Sequence, residues 1–502
     1  MTGIDKRFGA VHANRSVDFS VARGSVHGLI GENGAGKSTL MSILYGFYAP
    51  DRGAIAINGK AVDIRAPADA IAAGIGMVHQ HFMLVETFSV LENLMLGAEG
   101  GMLTARAART TRARLAELSR DYGLDVDPDA IVADLAVGQL QRVEILKALV
   151  RGAEVLILDE PTAVLTPDEA DKLFVLVRRL AGEGKAVIIV THKLKEIMAV
   201  TDHVSVMRRG EMIATVRTAE TSQEHLAELM VGRHVALDLD KTAAEPGAAV
   251  LEIRDLSLRD ARGTLRLDRI GFDVRAGEIV GIAGVAGNGQ SELLEIIAGM
   301  CRPSSGSITF AGAPLDCGGR DDPQSLRARG LRHVPEDRLR RGLVTPFEAA
   351  ESAILGCADE ERYGAGPFLS HRAVVADCAA KMAAFDVRPA DPGLTTALFS
   401  GGNQQKIVLA REIERDPILL LVGQPTRGVD IGAIELIHRR LIALRDEGKA
   451  ILVVSTELDE VLALADRVLV MSGGRITGQR DAGETDERDI GLLMAGIGER
   501  DL

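Results

Sequence analysis

A glycine-rich loop followed by a lysine and two hydroxyl residues is the clearest chemical feature near the start of the chain. Residues Gly31 to Leu40 read GENGAGKSTL, which fits G-x-x-x-x-G-K-[ST] between a strand-like run and a helical stretch. Glycines let backbone N–H groups converge on phosphate oxygens, while the helix N-terminus and Lys37 add positive charge. Ser38 can hold Mg²⁺ through its hydroxyl group. We predict a nucleotide phosphate site formed by Gly31, Asn33, Gly34, Gly36, Lys37, Ser38 and Thr39.

Two adjacent carboxylates, Asp159 and Glu160, follow the apolar run Val155 to Leu158. In an open α/β sheet ligands bind outside the carboxyl ends of the strands, so we expect both carboxylates near the phosphate loop. Asp159 would orient Mg²⁺ through its water shell, and Glu160 would polarise the attacking water as a general base. The structural alternative is a surface acidic pair that ends a strand.

The apolar runs around these residues predict the elements that position them. Short runs of Val, Ile and Leu, such as Val155 to Leu158 and Ala186 to Val190, alternate with helical stretches such as Asp168 to Ala181. This alternation predicts an α/β fold with a parallel sheet buried by helices.

The second half of the chain repeats the first. Gly284 to Leu293 (GVAGNGQSEL) follows the glycine-rich loop at an offset of 253 residues. Two further pairs occur in the same order at an offset of 264 residues: Leu135 to Arg142 with Phe399 to Lys406, and Val155 to Thr162 with Leu419 to Thr426. The chain is therefore interpreted as a duplication.

Leu237 to Ala249 loses periodicity and gathers charge, proline and glycine, as interdomain linkers do. We predict domains at residues 1–240 and 250–502. Because the strand-like Val250 to Ile253 has its counterpart before Met1, we expect the first domain to lack an edge strand. Either the true start lies upstream of Met1 or the fold tolerates the loss.

Composition narrows the classes of function. The 502 residues are 46% hydrophobic, enough for well-buried cores. A net charge of -13 argues against general affinity for nucleic acid or anionic lipid. The sequence shows neither an apolar run of the roughly 18 to 20 residues that span a membrane nor a secretory signal. We expect a cytoplasmic globular protein without nucleic-acid partners or direct membrane insertion.

The order of these motifs resembles the ATP-binding cassettes of ABC proteins. Gly31 to Thr39, Gln80, Leu135 to Arg142, Asp159-Glu160 and His192 match the Walker A, Q-loop, signature, Walker B and switch elements, and the resemblance covers nearly the whole chain twice. It implies two tandem P-loop NTPase cassettes. Each would have a RecA-like parallel-sheet core, an antiparallel β subdomain and a helical signature subdomain.

The resemblance also implies a head-to-tail sandwich in which each ATP lies between the Walker motifs of one cassette and the signature of the other. Phe8 would stack on adenine, with a core or edge phenylalanine as the alternative. Gln80 would couple Mg²⁺ and water to a transmembrane partner. His192 would contact the γ-phosphate.

The duplication reveals a loss of chemistry in the second half. Five residues change type at their counterparts: Lys37 to Gln290, Gln80 to Glu336, Asp159 to Gly423, Glu160 to Gln424 and His192 to Thr456. Loss of a general base alone costs about 10² to 10⁴ in rate, so we expect negligible hydrolysis by the second Walker set. Nucleotide binding there is left open, because a backbone nest for phosphate can still form from Gly284, Gly287, Gly289, Gln290 and Ser291.

The signature segments differ in the opposite sense. The second keeps Ser400, Gly401 and Gly402, whereas the first keeps Gly138 and has lost the hydroxyl group and one glycine. Under the implied pairing, the first Walker set meets the better signature and forms the one consensus site. Asp430 is interpreted as a D-loop residue facing this site.

Within the family, the chain resembles the ATPase subunits of bacterial sugar and nucleoside importers. Met77 to Val85 (MVHQHFMLV) and Val137 to Leu149 (VGQLQRVEILKAL) favour the nucleoside branch, although Ala136 stands where that branch usually carries serine. The implied partners are two transmembrane permease subunits, contacted by residues 81–100 and 337–356, and indirectly an extracytoplasmic solute-binding protein. The implied location is peripheral, on the cytoplasmic face of the inner or plasma membrane.

Two other functions remain open from the sequence. One is a simple-sugar importer of the same architecture, for a solute such as ribose or galactose. The other is a soluble tandem ABC ATPase acting on the ribosome or nucleic acid, which the negative charge and the short linker disfavour. The transported solute cannot be named from this subunit, and the import direction rests on the resemblance alone.

Overall fold

The structure is a computed structural model that describes residues 1–9, 11–79, 82–96, 104–162, 165–234, 241–285, 287–317, 319–365, 368–429, 431–494 and 496. The chain divides into two compact units, unit 1 (Met1–Val235) and unit 2 (Ala236–Leu502).

Unit 1 contains ten strands and eight helices within its described residues. They are β1 (Thr2–Phe8), β2 (Val11–Val17), β3 (Val26–Gly31), α1 (Lys37–Leu44), β4 (Arg52–Ile57), β5 (Lys60–Val62), α2 (Pro67–Ala72), β6 (Ile75–Val78), α3 (Val90–Met95), α4 (Thr104–Tyr122), α5 (Val137–Val150), β7 (Val155–Asp159), α6 (Pro167–Gly182), β8 (Ala186–Val190), α7 (Leu194–Val200), β9 (His203–Arg208), β10 (Glu211–Arg217) and α8 (Gln223–Val231).

The described part of unit 2 contains twelve strands and eight helices. They are β11 (Ala249–Arg259), β12 (Leu265–Arg275), β13 (Glu278–Ala283), α9 (Gln290–Ile297), β14 (Ser305–Phe310), β15 (Ala313–Pro314), α10 (Pro323–Ala328), β16 (Leu331–Val334), α11 (Ala349–Ser352), β17 (Gly364–Ala365), β18 (Phe368–Leu369), α12 (His371–Ala384), α13 (Gly401–Ile413), β19 (Leu419–Gly423), α14 (Ile431–Asp446), β20 (Ala450–Ser455), α15 (Leu458–Leu464), β21 (Arg467–Ser472), β22 (Arg475–Asp481) and α16 (Glu487–Met494).

The core of unit 1 is a six-stranded sheet in the order β10-β9-β3-β8-β7-β6, parallel except for the edge strand β10. Every residue of β3 and β8 is buried, because helices cover both faces of the sheet. The carboxyl ends of β3, β7 and β8 lie on the same side of the sheet, which brings the residues after these strands together.

Unit 2 repeats this arrangement. Its six-stranded sheet has the order β16-β19-β20-β13-β21-β22, which matches unit 1 strand for strand, and four-stranded antiparallel sheets accompany both cores. Helices α3 to α5 of unit 1 pack together, as do α11 to α13 of unit 2. The predicted α/β fold with tandem cassettes is confirmed.

The expectation that the first cassette lacks a strand at its start is wrong. Strand β1 pairs with β2 on one side and β4 on the other, as β11 pairs with β12 and β14. Ile4 and Leu256 are both fully buried and lie within the same register shift in the two sheets. The repeat offset placed the counterpart of Val250 to Ile253 before Met1. The reason is that β11 extends several residues further than β1 does on the N-terminal side of the shared register shift.

The predicted linker lies at the boundary between the two units. From residue 241 onward the chain contacts unit 2: the Lys241 Nζ donates to the Leu464 carbonyl at 3.2 Å and pairs with Asp466 at 3.1 Å. The Gly247 N–H donates to the Ala276 carbonyl at 2.8 Å. The segment after residue 240 therefore packs on the second cassette, while the proposed domain bounds of 1–240 and 250–502 remain a prediction.

None of the helices among the described residues has both the length and the apolar character required to cross a membrane.

Candidate functional site

The phosphate loop of unit 1 connects the end of β3 to the start of α1. Gly36, which precedes the helix, has a left-handed φ of 100°, and a Cβ atom there would collide with the Ala13 carbonyl oxygen. Gly34 is also left-handed, with φ 81°. These two positions need glycine, so the loop can turn its backbone N–H groups toward a common centre.

Lys37 is the first residue of α1 and is 7% exposed. Its Nζ donates to the carbonyl oxygens of Gly31 at 2.7 Å and Glu32 at 3.0 Å. Burial lowers the pKa of Lys37, and the nearby carboxylates of Glu160, Asp159 and Glu32 oppose that shift. The ammonium group is thus held at the loop that would receive a phosphate.

Asp159 ends β7, and burial together with the neighbouring Glu160 raises the pKa of Asp159 to about 6, against the opposing effect of Lys37. Glu160 adopts a left-handed φ of 47°, and its N–H donates to the Val190 carbonyl at 2.8 Å. Lys37 lies close enough to Asp159 and Glu160 for their charges to affect its pKa, and the roles of the three residues remain a prediction.

His192 follows β8 and lies beside Glu160, with its Nδ1 3.0 Å from the Glu160 Oε1. Burial acts to raise the pKa of Glu160, but the hydrogen bond from His192 and the charges of His192, Lys37 and Lys193 outweigh it and lower the pKa. Glu160 is therefore ionised at neutral pH, as a general base requires.

Phe8 lies at the end of β1 and is 42% exposed. Its ring makes an edge contact with Tyr48 at 5.1 Å between centroids, and the Lys6 Nζ lies 5.5 Å from its centre. The exposed ring disfavours the alternative of a core phenylalanine. Adenine stacking at this position remains a prediction.

Two residues predicted for the site, Gln80 and Asp430, lie outside the described residues.

The second phosphate loop keeps the backbone of the first. Gly289 precedes α9 with φ 101°, Gly287 has φ 91°, and the Gln290 amide donates to the Val285 carbonyl at 3.1 Å. Gln290 thus braces its loop as Lys37 does in unit 1, but without a charge. Gly284 directly follows β13, and a Cβ atom added to it would collide with the Gln290 side chain.

The general-base position of unit 2 also keeps its geometry and loses its chemistry. Gln424 has a left-handed φ of 51°, and its N–H donates to the Val454 carbonyl at 2.7 Å. Its Oε1 accepts from the Thr456 N–H at 3.3 Å and from the Thr456 hydroxyl at 3.2 Å. A neutral amide and hydroxyl pair therefore occupies the place of Glu160 and His192.

The two signature segments begin helices α5 and α13. The Ser400 Oγ caps α13. It accepts hydrogen bonds from the Asn403 backbone N–H at 3.4 Å and from the Asn403 side-chain amide at 2.8 Å. In unit 1, Ala136 holds the cap position and has no side-chain acceptor. The Ala136 backbone N–H donates to the Gln139 Oε1 at 3.0 Å. The better-capped signature is the one in unit 2.

The motif comparison missed the side chains that pack against the signature glycines. A Cβ on Gly401 would collide with the Arg338 guanidinium, which also donates to the Arg427 carbonyl at 3.1 Å. A Cβ on Gly138 would collide with the Glu169 carboxylate. Gly402 is buried in the first turn of α13. Arg338 lies two residues after Glu336, which stands where the first copy has Gln80. That change of residue type was the sequence signal available near Arg338.

The family model "ABC transporter" matches residues 14–163 and 267–427, which is more than half of the chain in two copies. A relative from Lactococcus lactis subsp. cremoris, the nucleoside import ATP-binding protein NupA, is 47% identical and covers 99% of this chain and 97% of its own. The guanosine import ATP-binding protein NupO of Bacillus subtilis is 45% identical, covering 100% and 98%. The glucose import ATP-binding protein TsgD13 of Haloferax volcanii is 45% identical, covering 99% and 96%.

A solved structure of an archaeal ribosome recycling factor, aABCE1, in complex with a ribosomal stalk protein, is similar with a TM-score of 0.62. It is 19% identical and the match covers 95% of this chain and 90% of that one, so the likeness concerns the fold. The relatives and the twofold family match, together with the loop, carboxylates and signature helices described above, identify this chain as an ATPase of the ABC transporter family.

Proposed function

We propose that this chain is the ATP-hydrolysing subunit of a nucleoside importer, with unit 1 supplying the Walker motifs of its only hydrolysing site. The observation that carries the proposal is the Glu160–His192 pair at 3.0 Å beside a buried lysine. Its counterpart in unit 2 is the neutral Gln424–Thr456 pair.

The residues of unit 1 divide the chemistry between them. Glu160, ionised at neutral pH, accepts a proton from the attacking water, and His192 holds the carboxylate by its hydrogen bond. Lys37 and the loop N–H groups bind and orient the phosphates. Turnover then requires water to lie within hydrogen-bonding reach of Glu160.

The donor set beside Lys37 fits Mg²⁺. Ser38 offers a hydroxyl oxygen, and Asp159 offers a carboxylate whose pKa is raised by burial and by the neighbouring Glu160, so a cation beside it would favour the ionised form. Ser38 and Asp159 would hold the ion, with Gln80 as the further ligand predicted by the motif. The ion supplies charge neutralisation of the phosphates when bound.

For the rest of the site, we keep the pairing implied by the family. Ser400, Gly401 and Gly402 would serve the nucleotide of the first Walker set from the opposite cassette, with Asp430 as the D-loop residue. Support comes from the difference between the two signatures. The Ser400 side chain caps its helix by accepting a hydrogen bond, whereas Ala136 has no side-chain oxygen to do so.

A groove in unit 1 supports the predicted contact with a permease. A cavity of about 430 Å³ is lined by His79 and Met83, and its wall also includes Tyr45 and Phe47; the rings of Tyr45, Phe47 and His79 lie 5.4 to 5.7 Å apart. The Met83 N–H donates to Glu144 at 2.9 Å, and the Lys147 Nζ donates to the Met83 carbonyl at 2.9 Å. A permease segment seated here would therefore contact His79, Met83 and the signature helix α5.

Docking at this groove is consistent with the transporter assembly that we propose. Two permease subunits would form the solute path, a solute-binding protein would act on their outer side, and this chain would sit peripherally on the cytoplasmic face. The solute path would then lie entirely in the partner subunits.

Nucleosides are the favoured solute because the relatives at 47% and 45% identity are named for nucleoside and guanosine import. A simple sugar is the second candidate, supported by a glucose import relative at 45% identity. Uptake of radiolabelled nucleosides and sugars by a deletion strain, complemented by the wild-type chain or by Glu160→Gln, tests the choice. Nucleoside uptake should require the chain and Glu160, whereas loss of sugar uptake alone would overturn the nucleoside assignment.

A further inference from the structure

A positively charged side chain lies beside the signature segment of unit 2. Arg338 begins a helical turn four residues past β16, and its guanidinium donates to the Arg427 carbonyl at 3.1 Å. A Cβ atom built on Gly401 would collide with this guanidinium, and one built on Gly428 would lie 3.5 Å from it. Arg338 therefore joins the first turn of α13 to the turn that follows β19.

This position is electrostatically unfavourable for a cation. An α-helix carries partial positive charge at its N-terminus, so the first turn of α13 repels the Arg338 guanidinium. Burial and the charge of Arg427 lower the pKa of Arg338, against the opposing effect of Asp337. The buried Arg338 Nε has no hydrogen-bond partner among the described residues. An anion bound at this turn would offset the repulsion.

The signature segment of unit 1 has a negatively charged side chain at the equivalent turn. A Cβ atom built on Gly138 would collide with the Glu169 carboxylate, so this carboxylate lies against the first turn of α5. The carboxylate also accepts hydrogen bonds from the Thr166 N–H at 3.1 Å and the Thr166 hydroxyl at 3.2 Å, which fix its position. Glu169 thus provides the N-terminus of α5 with an anion, and a phosphate brought to the same turn would be repelled.

Neither charge recurs at the matching position of the other unit. Counted from the matching strands β6 and β16, Arg338 corresponds to Phe82. Counted from β7 and β19, Glu169 corresponds to Ala433, which is buried. The signature that keeps its serine therefore has a cation beside it, and the signature that has lost its serine has a carboxylate.

We propose that the charge beside each signature determines which of the two receives the phosphates of ATP. Arg338 is a positioning residue that favours these phosphates at Ser400 and Gly402, and Glu169 keeps phosphate away from the first turn of α5. The inference rests on the proposed function, in which the signature of unit 2 serves the hydrolysed nucleotide. It adds to that site two residues that lie outside the Walker and signature motifs.

Steady-state ATP turnover of the full chain assembled with its permease separates KM from kcat. Arg338→Gln should raise the KM for ATP by about tenfold or more, because a positive charge beside the phosphates is lost. Arg338→Lys keeps the charge and should keep KM close to the wild-type value. The wild-type KM should also rise more steeply with NaCl concentration than the KM of Arg338→Gln, which a purely structural role would not produce.

Arg340→Gln is the matched control for these variants. It makes the same change of charge at an exposed residue two positions further on, so KM should stay at the wild-type value. Equal KM values for Arg338→Gln and Arg340→Gln would overturn the role of Arg338.

A transplanted carboxylate tests the role assigned to Glu169. Ala433→Glu places an acidic side chain beside the signature of unit 2 and should raise KM, whereas Ala433→Gln adds nearly the same volume without charge. Arg338→Glu makes the same test at a position that already holds a long side chain, and it should raise KM further than Arg338→Gln. Circular dichroism checks that each variant folds. Equal KM values within the folded Glu and Gln pairs would overturn the role of the carboxylate.

Ser400→Ala separates failure of this inference from failure of the proposed function. It removes the signature hydroxyl itself and should lower ATP turnover. Unchanged turnover in Ser400→Ala would overturn the use of this signature, and the inference with it. Lowered turnover in Ser400→Ala together with a wild-type KM in folded Arg338→Gln would overturn the inference alone.

Discussion

The His192 imidazole holds the Glu160 carboxylate at 3.0 Å, and at the equivalent place in unit 2 the Thr456 hydroxyl holds the Gln424 amide at 3.2 Å. Both contacts join the residue directly after one core strand to a residue just past the end of the neighbouring parallel strand, two positions past β8 for His192 and one position past β20 for Thr456. The backbone of the site has thus been kept in both units, while an ionisable pair remains in unit 1 alone.

His192→Ala should shift the pH dependence of ATP turnover. Burial acts to raise the pKa of Glu160, and the hydrogen bond from His192 opposes it, so removing the imidazole raises that pKa. Because the ionised carboxylate is the base, the acidic limb of the rate profile should move to higher pH. Phosphate release measured from pH 5 to 9 checks this, and Thr456→Ala, the matched change in unit 2, should leave the limb in place.

Gly36→Ala should destabilise the phosphate loop more than a simple left-handed glycine replacement does. Its φ of 100° costs an alanine about 1 to 2 kcal/mol, and the Cβ collides with the Ala13 carbonyl as well. Gly59→Ala is the control, because Gly59 has φ 77° and open space around its Cβ position. Urea unfolding compares the two, and an equal loss in both variants would contradict the steric account.

Motif order and strand-end placement were sufficient to predict Lys37, Asp159, Glu160 and His192 as one group. These residues follow from local signals: a glycine pattern, apolar runs and the rule that strand ends gather ligands. Ser291 and Glu336 are 45 residues apart, and their contact depends on the adjacency of β16 and β19 and on the space above Gly423. Motif spacing marks Ser291 and Glu336 as the counterparts of Ser38 and Gln80, but it does not show that a hydrogen bond joins them.

Strand β1 at the start of unit 1 was missed when the two repeats were compared by counting the offset between them. Offset counting assumes that both copies begin at corresponding residues, whereas pairing in the sheet aligns Ile4 with Leu256 by the shared register shift. Inserted residues between motifs change the offset from 253 to 264 within one repeat. Only strand pairing locates β1.

Acidification should weaken both units through buried histidines. Burial lowers the pKa of His27 in unit 1 and of His333 in unit 2 to about 4, so both are neutral in the folded chain and are protonated more readily when unfolded. Each should cost about 1.4 kcal/mol of unfolding free energy per pH unit as the pH falls from about 6.5 toward 4.

Urea unfolding at several pH values measures this slope. His27→Gln, which can keep a hydrogen bond to Ser205, should flatten the slope for unit 1. An unchanged slope in this variant would show that other groups cause the acid sensitivity.

Phe47→Ala should weaken coupling to the permease while leaving the isolated chain folded. Phe47 is 44% exposed on the wall of the unit 1 groove, so its loss removes contact area for a partner at small cost to the core. Copurification with the permease subunits and solute-stimulated ATP turnover measure the effect. Val175→Ala, an exposed apolar change on α6 outside the groove, should have no effect; equal losses in the two variants would contradict the docking site.

The unequal chemistry of the two units is tested most directly by steady-state ATP turnover of purified Glu160→Gln and Gln424→Glu chains assembled with their permease. Glu160→Gln should lower turnover by about 10² to 10⁴, because the general base is lost. Gln424→Glu should add little, since Gln290 and Gly423 still stand where Lys37 and Asp159 stand in unit 1. Near-normal turnover by Glu160→Gln would contradict the assignment of hydrolysis to unit 1.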